Sequence, residues 1–181
     1  MARREPLLFF SGADAETIEA VTARIFPRDE LGPGAGEAGV TMYLDRALAG
    51  PYAHLGDTYR QGLAGLNAAS QVLGRAPFVA LQEIEQDAIL YGIEQGEFRS
   101  FGLDPAFMAL LIQHTREGMF CDPAHGGNRD LVGWKLMDYP GIHRVWTEEE
   151  EQIGVALPWR PLTTLADDTF GIDLPDAGAQ P

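Results

Sequence analysis

The side chains best suited to chemistry lie in one stretch, HTREGMFCDPAHGGNRDLVGWKLMDYPG, from His114 to Gly141. His114 and Glu117 are three positions apart, so they share one face of a helix. Asp122 and His125 follow shortly afterwards. Imidazole and carboxylate groups are ligands that zinc, iron and manganese accept in proteins. One hypothesis is therefore a stand-alone metal-dependent enzyme that uses these four residues.

The spacing of these four residues does not match a familiar metal motif. A carboxylate-bridged di-iron site uses two Glu-x-x-His pairs from separate helices. This chain has a single pair, His114 and Glu117, in the reverse order. The alternative interpretation is that the two side chains hydrogen-bond to each other and to nearby backbone close to a helix end.

Two other features of the stretch resemble catalytic or ligand-binding elements. Cys121, the one cysteine, lies near His125. A cysteine nucleophile needs a thiolate of low pKa and a group that orients its base, so we predict a small, buried, inert thiol instead. The segment Gly126-Gly127-Asn128 lacks the spacing and the Lys-Ser/Thr pair of a phosphate-binding loop. We therefore expect no catalytic, cofactor-binding or metal-binding residue in this chain.

A structural role accounts for more of the stretch. The glycine pair before Asn128 permits positive φ, so the chain can reverse sharply, and the Asn128 side chain can hydrogen-bond within such a turn. Asp130 is placed to cap a short helix over residues 131–136. Trp134 brings a large ring whose N–H needs a partner. The pattern predicts a rigid polar turn that braces the fold and presents Asn128, Asp130 and Trp134 to a partner protein.

Hydrophobic periodicity places this turn at the end of a helical domain. Ser11 with Asp14 is a capping box, Asp57 or Thr58 is a candidate cap, and Asp104-Pro105 is a strong helix start. The last helix before the turn is almost wholly apolar up to Gln113, which is typical of a central helix. The segment APFVAL is expected to be a turn packed on the core. Helices are predicted at about 13–26, 37–49, 57–73, 82–95 and 105–120.

No alternation of apolar and polar residues is long enough to predict a strand. The predicted fold class is all-α, a single compact domain of about five to six helices with an extended, irregular C-terminal tail. We place the boundaries at 1–8 for an N-terminal segment, 9–142 for the helical domain and 143–181 for the tail.

The tail differs from the rest of the chain in charge and composition. Residues 147–181 contain eight acidic residues and one basic residue, while the whole chain has a net charge of -14. Proline and glycine interrupt any helix there, and the scattered apolar residues, Trp159 among them, cannot form a core of their own. The tail is therefore either a solvated, disordered segment or one that wraps around a partner with a basic surface.

The charge also restricts the classes of partner. A chain with 13 Lys and Arg against 27 Asp and Glu lacks the basic footprint of a nucleic-acid-binding protein or of a protein attracted to anionic membranes. Its apolar runs are far shorter than a membrane span requires. Arg3-Arg4 is a twin arginine, but the apolar run behind it is too short for the core of a signal peptide. Either a leader has been removed or the chain has none of its own.

The stretch from His114 to Gly141 resembles the signature of the gluconate 2-dehydrogenase subunit 3 family, as do DELGPGAGEAGV, LDRALAGPY and the opening FFSGADAETIEAVTARIFP. The resemblance runs from about Phe9 to Gly141. We predict that residues of this signature form an interface with a partner protein. They are His114, Glu117, Asp122, His125, Gly126, Gly127, Asn128, Asp130, Trp134 and Tyr139. Trp159, in the tail, is a further candidate for this interface.

This resemblance implies a non-catalytic small subunit of a sugar, polyol or glycoside dehydrogenase. The partner that it implies is a large flavoprotein of the glucose–methanol–choline (GMC) type, which holds the FAD. A third subunit, a cytochrome c with haem c, accepts the electrons in many such complexes. The small subunit is expected to help its partner fold and to assist its export, which implies a periplasmic complex. Without removal of a leader, the expected location is cytoplasmic.

Overall fold

The computed structural model of the chain describes residues 6–139, 141–142, 148, 150–155 and 162–167. The chain divides into two compact units, Met1–Tyr139 and Pro140–Pro181, which are described separately below. In the part of the chain that the structure describes, no helix is long and apolar enough to span a membrane.

Seven α-helices occur among the described residues, and no strand occurs there. The predicted all-α fold is therefore confirmed. Short 3-10 turns connect several of the helices. The α-helices are α1 (Gly12–Ile25), α2 (Ala35–Ala38), α3 (Val40–Ala49), α4 (Gly56–Leu73), α5 (Glu83–Glu94), α6 (Pro105–Phe120) and α7 (Val132–Leu136).

Side-chain caps start α1 and α6 as predicted. The Ser11 hydroxyl accepts from the Asp14 amide at 3.1 Å, and the Asp14 carboxylate accepts from the Ser11 amide at 3.3 Å. The Asp104 carboxylate accepts from the Phe107 amide at 2.9 Å, and Pro105 occupies the first helical position. Each cap satisfies amides that have no partner inside the helix, so the local sequence alone fixes both starts.

Two other helix starts were predicted wrongly. The single helix expected at 37–49 is two helices, because Gly39 adopts a left-handed conformation with φ of 73° between α2 and α3. Helix α4 begins at Gly56 without a side-chain cap, directly after a 3-10 turn, so neither Asp57 nor Thr58 caps it. Asp57 instead pairs with Arg60 one turn later, at 2.9 Å.

Helix α6 is the centre of the helical unit, as its apolar sequence predicted. It packs against α1, α2, α3, α5 and α7. Its inward side chains are Phe107, Met108, Leu111 and Met119, all of which belong to the main hydrophobic core. The predicted turn APFVAL also packs on this core, through the fully buried Phe78.

A buried carboxylate fixes residues 8–10 onto this core. Asp45, on α3, is fully buried, and its carboxylate accepts hydrogen bonds from three successive backbone amides. The distances are 2.7 Å from Leu8, 3.0 Å from Phe9 and 2.9 Å from Phe10. Because Phe10 then packs edge-on against the buried Tyr59, residues 8–10 are joined to the domain core.

The second unit, Pro140–Pro181, has an irregular structure where it is described. The Ile142 amide donates to the Thr163 carbonyl at 3.1 Å, and the Thr163 hydroxyl donates to the Ile142 carbonyl at 2.8 Å. Asp167 closes a turn by accepting from the Thr164 amide and hydroxyl. Trp159, a predicted interface residue, lies outside the described residues.

Candidate functional site

The C-terminal end of α6 is closed by the turn that follows it. The last carbonyls of a helix have no partner inside the helix, so they need donors from elsewhere. Asn128 is fully buried and supplies two of these donors. Its amide donates to the Gly118 carbonyl at 2.8 Å, and its side-chain NH₂ donates to the Cys121 carbonyl at 2.9 Å. Its side-chain oxygen accepts from the Gly133 amide at 2.8 Å, which ties α7 to the same point.

Trp134 provides a third donor to the end of α6. The Trp134 indole N–H donates to the Phe120 carbonyl at 2.8 Å, and the ring is buried. The backbone approaches α6 so closely that only glycine fits at two positions. A side chain at Gly127 would collide with the Gly118 carbonyl, and one at Gly133 would collide with the Met119 carbonyl. We call residues 121–136 the α6 cap.

The α6 cap braces the end of α6, but the residues that hold it together differ from those predicted. Asp130 does not cap α7, because Asp130 is itself left-handed with φ of 56° and the helix starts after Leu131 without a side-chain cap. Asn128 and Trp134 are buried, so they are not presented to a partner as predicted. Of those three residues only Asp130 is exposed.

The outer residues of the α6 cap have separate positions. Asp122 accepts from the Ala124 amide at 2.9 Å and so starts a short 3-10 turn. His125 is exposed. Gly126 has φ of 96°, and the Arg46 guanidinium lies directly against it, where a side chain would collide. Tyr139 follows the cap, is 40% exposed and packs edge-on against the Trp134 ring at 4.9 Å.

Glu117 is the acceptor for three neighbouring side chains. One carboxylate oxygen accepts from the Tyr43 hydroxyl at 2.8 Å and from the Tyr52 hydroxyl at 3.1 Å. The other oxygen accepts from the Gln113 side-chain NH₂ at 2.9 Å. Burial raises the pKa of this carboxyl, but the hydrogen bonds from Gln113 and the two tyrosines outweigh it, so the pKa lies below its usual value. Glu117 is therefore ionised at neutral pH.

His114 lies in a stack of three rings between the core and the surface. Its ring is parallel to that of Tyr52 at 4.7 Å and to that of Tyr59 at 5.9 Å. The Nδ1 atom is 2.7 Å from the Tyr59 hydroxyl. Burial lowers the pKa of His114, although the charge of Glu117 opposes this. The interpretation that His114 and Glu117 bond to each other is wrong, because each takes tyrosine partners instead.

The structure does not assemble the four proposed metal ligands. Among the residues that it describes, no group of three His, Cys, Asp or Glu side chains is arranged to hold a metal ion. His114 faces Tyr59, Glu117 faces the other two tyrosines, and His125 is exposed. The Cys121 thiol is partly buried, and burial raises its pKa to about 11, so it is protonated at neutral pH and a poor nucleophile.

An open groove of about 620 Å³ lies between α3 and the end of α6. The Glu117 carboxylate and the two tyrosines that donate to it lie along this groove. Its lining includes Tyr43, Arg46, Tyr52, Glu117, Cys121 and His125, together with apolar groups. A concave surface with converging polar groups and shifted pKa values is a common form of binding site in proteins.

The α6 cap and the groove both lie within a segment that matches a known family. The family model described as gluconate 2-dehydrogenase subunit 3 matches residues 13–141, which is most of the chain. The chain belongs to the gluconate 2-dehydrogenase subunit 3 family. No significant match was found among curated proteins or among solved structures. As a member of this family the chain is an accessory subunit of a dehydrogenase complex.

In this member of the subunit 3 family, the sequence did not indicate the hydrogen-bond partners of His114 and Glu117. Tyr43 and Tyr59 lie within the helices predicted at 37–49 and 57–73, and Tyr52 ends the segment LDRALAGPY, but no partner was predicted for any of them. Nothing in the spacing of a single helix indicates that residues 55 to 74 positions away form hydrogen bonds with side chains of α6. A usable signal was present, since each of these tyrosines has a hydroxyl that needs a partner when buried.

Proposed function

We propose that this chain is the non-catalytic small subunit of an FAD-dependent dehydrogenase of the GMC type that acts on a sugar, polyol or glycoside. Its role is to stabilise the flavoprotein and to assist its maturation or export. The observation that carries the proposal is the subunit 3 family match over residues 13–141. FAD belongs to the partner, and a cytochrome c subunit with haem c is the proposed electron acceptor.

The α6 cap supplies a surface suited to this role. Its interior is fixed by the Asn128 and Trp134 hydrogen bonds, so its outer residues are held in place before a partner binds. Asp130 is exposed on this side, and Met137 and Tyr139 follow it with exposed fractions of 52% and 40%. A pre-organised surface loses less conformational entropy on binding. We propose that these three residues contact the flavoprotein.

Co-expression tests the proposed partnership. A GMC-type flavoprotein encoded beside this chain is purified with and without it, and complex formation, bound FAD and dehydrogenase activity are measured. The expected result is one complex on gel filtration and a higher yield of FAD-loaded flavoprotein. Separate elution of the two proteins, with FAD loading and activity unchanged, would refute the proposal.

Variants of the proposed contact surface locate the interface. The pair Met137→Ser and Tyr139→Ser removes exposed apolar contacts and is expected to reduce the co-eluting fraction. Ile84→Ser is the matched control, because Ile84 is 73% exposed on α5 and lies away from the α6 cap in sequence. If the variant and the control reduce the co-eluting fraction equally, the interface does not lie at Met137 and Tyr139. The proposed subunit role would still be tested by the co-expression experiment.

A periplasmic location is part of the same proposal. It rests on the export role of the small subunit. Fractionation of cells that produce both subunits measures it directly, with dehydrogenase activity followed in each fraction. Activity confined to the cytoplasm in the presence of this chain would contradict both the location and the export role.

A further inference from the structure

Glu117 carries a charge without a counter-charge on the wall of the groove between α3 and the end of α6. Its carboxylate is partly buried, and its lowered pKa keeps it ionised at neutral pH. The three side chains that donate to it are all neutral. Among the residues that the structure describes, no Lys, Arg or His side chain forms an ion pair with it. Charges removed from water are normally paired, because desolvation of an unpaired ion costs free energy.

The groups around this charge offer hydrogen-bond acceptors to a ligand. The hydroxyls of Tyr43 and Tyr52 each have one hydrogen, and both give it to the same oxygen of Glu117. The two phenol oxygens therefore meet a ligand only with lone pairs. Glu117 itself accepts three of about four possible hydrogen bonds, and its remaining position is again an acceptor. A group that binds here must bring several donors.

Aromatic rings favour a planar cation as that group. Tyr43, Tyr52 and Phe120 line the groove. Aromatic faces attract cations, and a guanidinium also stacks on them because it is flat. A guanidinium has five N–H donors and is more weakly hydrated than an ammonium, so it leaves water at a smaller cost. Negative charge, acceptors and rings in one groove therefore favour arginine over lysine.

Arg46 does not supply the missing counter-charge. It lies on the lining of the groove and takes part in an interaction of its own, but it forms no ion pair with Glu117. Its donors and its charge are therefore not assigned to a ligand. The cation that pairs with Glu117 has to come from outside the described part of the chain.

The position of the groove indicates which molecule brings this cation. Cys121, Ala124 and His125 belong to the α6 cap and also line the groove. The groove is thus continuous with the surface proposed to contact the flavoprotein. Its volume of about 620 Å³ and its open form admit a long side chain from a protein that covers the cap. A net charge of -14 further favours a basic group on the partner.

We propose that an arginine side chain of the flavoprotein subunit enters this groove and pairs with Glu117. The phenol oxygens of Tyr43 and Tyr52 accept from its remaining N–H groups. This contact rests on the proposed subunit function, because it requires the flavoprotein as the partner. Arginine side chains that fill a pocket and meet a carboxylate are often the strongest single contacts of an interface.

Blocked amino acids test the groove on the full-length chain alone. The probes are N-acetyl-arginine methylamide and N-acetyl-citrulline methylamide, which has nearly the same shape without the charge. The arginine probe is expected to bind saturably with a dissociation constant near or below about 10 mM. Its amide shifts in NMR titration should concentrate in residues 43–52 and 117–125, and the citrulline probe should bind at least about tenfold more weakly. Absence of saturable binding, equal binding of the two probes, or shifts spread over the other helices would overturn the proposal.

Matched variants test the contact in the complex with the co-expressed flavoprotein. Glu117→Gln removes the charge and keeps the size, so it should weaken the complex about tenfold or more, the effect of losing a charge-assisted hydrogen bond. Tyr52→Phe keeps the ring and the Glu117 charge, and it should weaken the complex about fivefold. Glu94→Gln is the control, because Glu94 is exposed on α5 and does not line the groove. Thermal unfolding of each free chain shows that the variants are folded, and Tyr52→Phe decides the outcome if Glu117→Gln is not.

The outcomes separate this contact from the proposed subunit function. A complex that neither Glu117→Gln nor Tyr52→Phe weakens relative to the control would overturn the arginine contact and leave the subunit function intact. Failure of the wild-type chain to form any complex would refute both. Elution of the free chain as a dimer that Glu117→Gln dissociates would show that a second copy fills the groove, and the proposal would be wrong.

Discussion

The substitution Asn128→Gly removes the side chain that holds the α6 cap together and leaves its backbone conformation accessible. Asn128 is left-handed, with φ of 46°, and glycine adopts this conformation without strain. The change therefore isolates the two side-chain hydrogen bonds, one to the Cys121 carbonyl and one from the Gly133 amide. The fully buried position gives water no easy route to replace them.

The expected cost follows from these two bonds. A buried group left without its partner costs about 1–3 kcal/mol. Cys121 is only partly buried, so the loss of the bond at its carbonyl costs about 1 kcal/mol in the free energy of unfolding. The Gly133 amide is buried, so the loss of its bond costs about 3 kcal/mol. The added freedom of glycine in the unfolded chain contributes a further ~0.5–1 kcal/mol. The total loss in the free energy of unfolding is about 4.5–5 kcal/mol, or a fall of about 9–20 °C in Tm for a chain of this size.

Urea and thermal unfolding, followed by circular dichroism, measure this loss. Asp130→Gly is the matched control, because Asp130 is left-handed in the same turn and its side chain is exposed. The control is expected to stay within about 1 kcal/mol of the wild type, since relief of backbone strain offsets the flexibility of glycine. Equal stability of the two variants would show that the Asn128 side chain does not hold the cap, and the reasoning would fail.

Three further outcomes are expected. Asp45→Asn should lower the free energy of unfolding by about 2–4 kcal/mol and speed proteolysis near the N-terminus, because three amides lose a charged acceptor, whereas the exposed Asp57→Asn should not. The folded-state pKa of Glu117 is lowered, so its stabilisation is complete above the unfolded pKa of about 4.3 and is lost as pH falls through the folded value. The Tm difference between wild type and Glu117→Gln should therefore narrow on acidification, and a constant difference would contradict this. Cys121, with a pKa of about 11, should react with iodoacetamide at neutral pH much more slowly than free cysteine, and an equal rate would show an activated thiolate.

Local signals in the sequence predicted the elements that depend on neighbouring residues. The starts of α1 and α6 follow from Ser11 and Asp104, since a cap and its helix lie within three positions. The apolar pattern also placed α6 at the centre, because an almost wholly apolar sequence up to Gln113 is typical of a central helix. One side of the helix is nevertheless exposed, at Ala106, Ala109, Gln113 and Arg116. The break at Gly39 was harder to predict, since glycine is tolerated inside a helix unless its φ turns positive.

The site was predicted less well because its bonds span long distances in the chain. The density of polar residues after His114 drew attention to one turn, but half of the polar network lies on α3, α4 and the loop between them. Asn128 was recognised as a turn residue, yet its partners are the end of one helix and the start of another. A buried Asn in a left-handed conformation can hydrogen-bond to many different backbone groups, and the tertiary fold determines which of them lie within reach.

The α6 cap also bears on how the chain folds. Its side-chain bonds join residues only 5, 7 and 14 positions apart, so closing them costs little loop entropy. Such contacts need no other part of the core to be in place, and local contacts are those that form fastest. We therefore expect the cap and the last turns of α6 to form one early folding unit, in which the amide hydrogens of Asn128 and Gly133 exchange with solvent at similar rates. The long-range bonds of Tyr43, Tyr52 and Tyr59 are expected to form afterwards, since they span 55 to 74 positions, so the groove should be completed only when the helical domain closes.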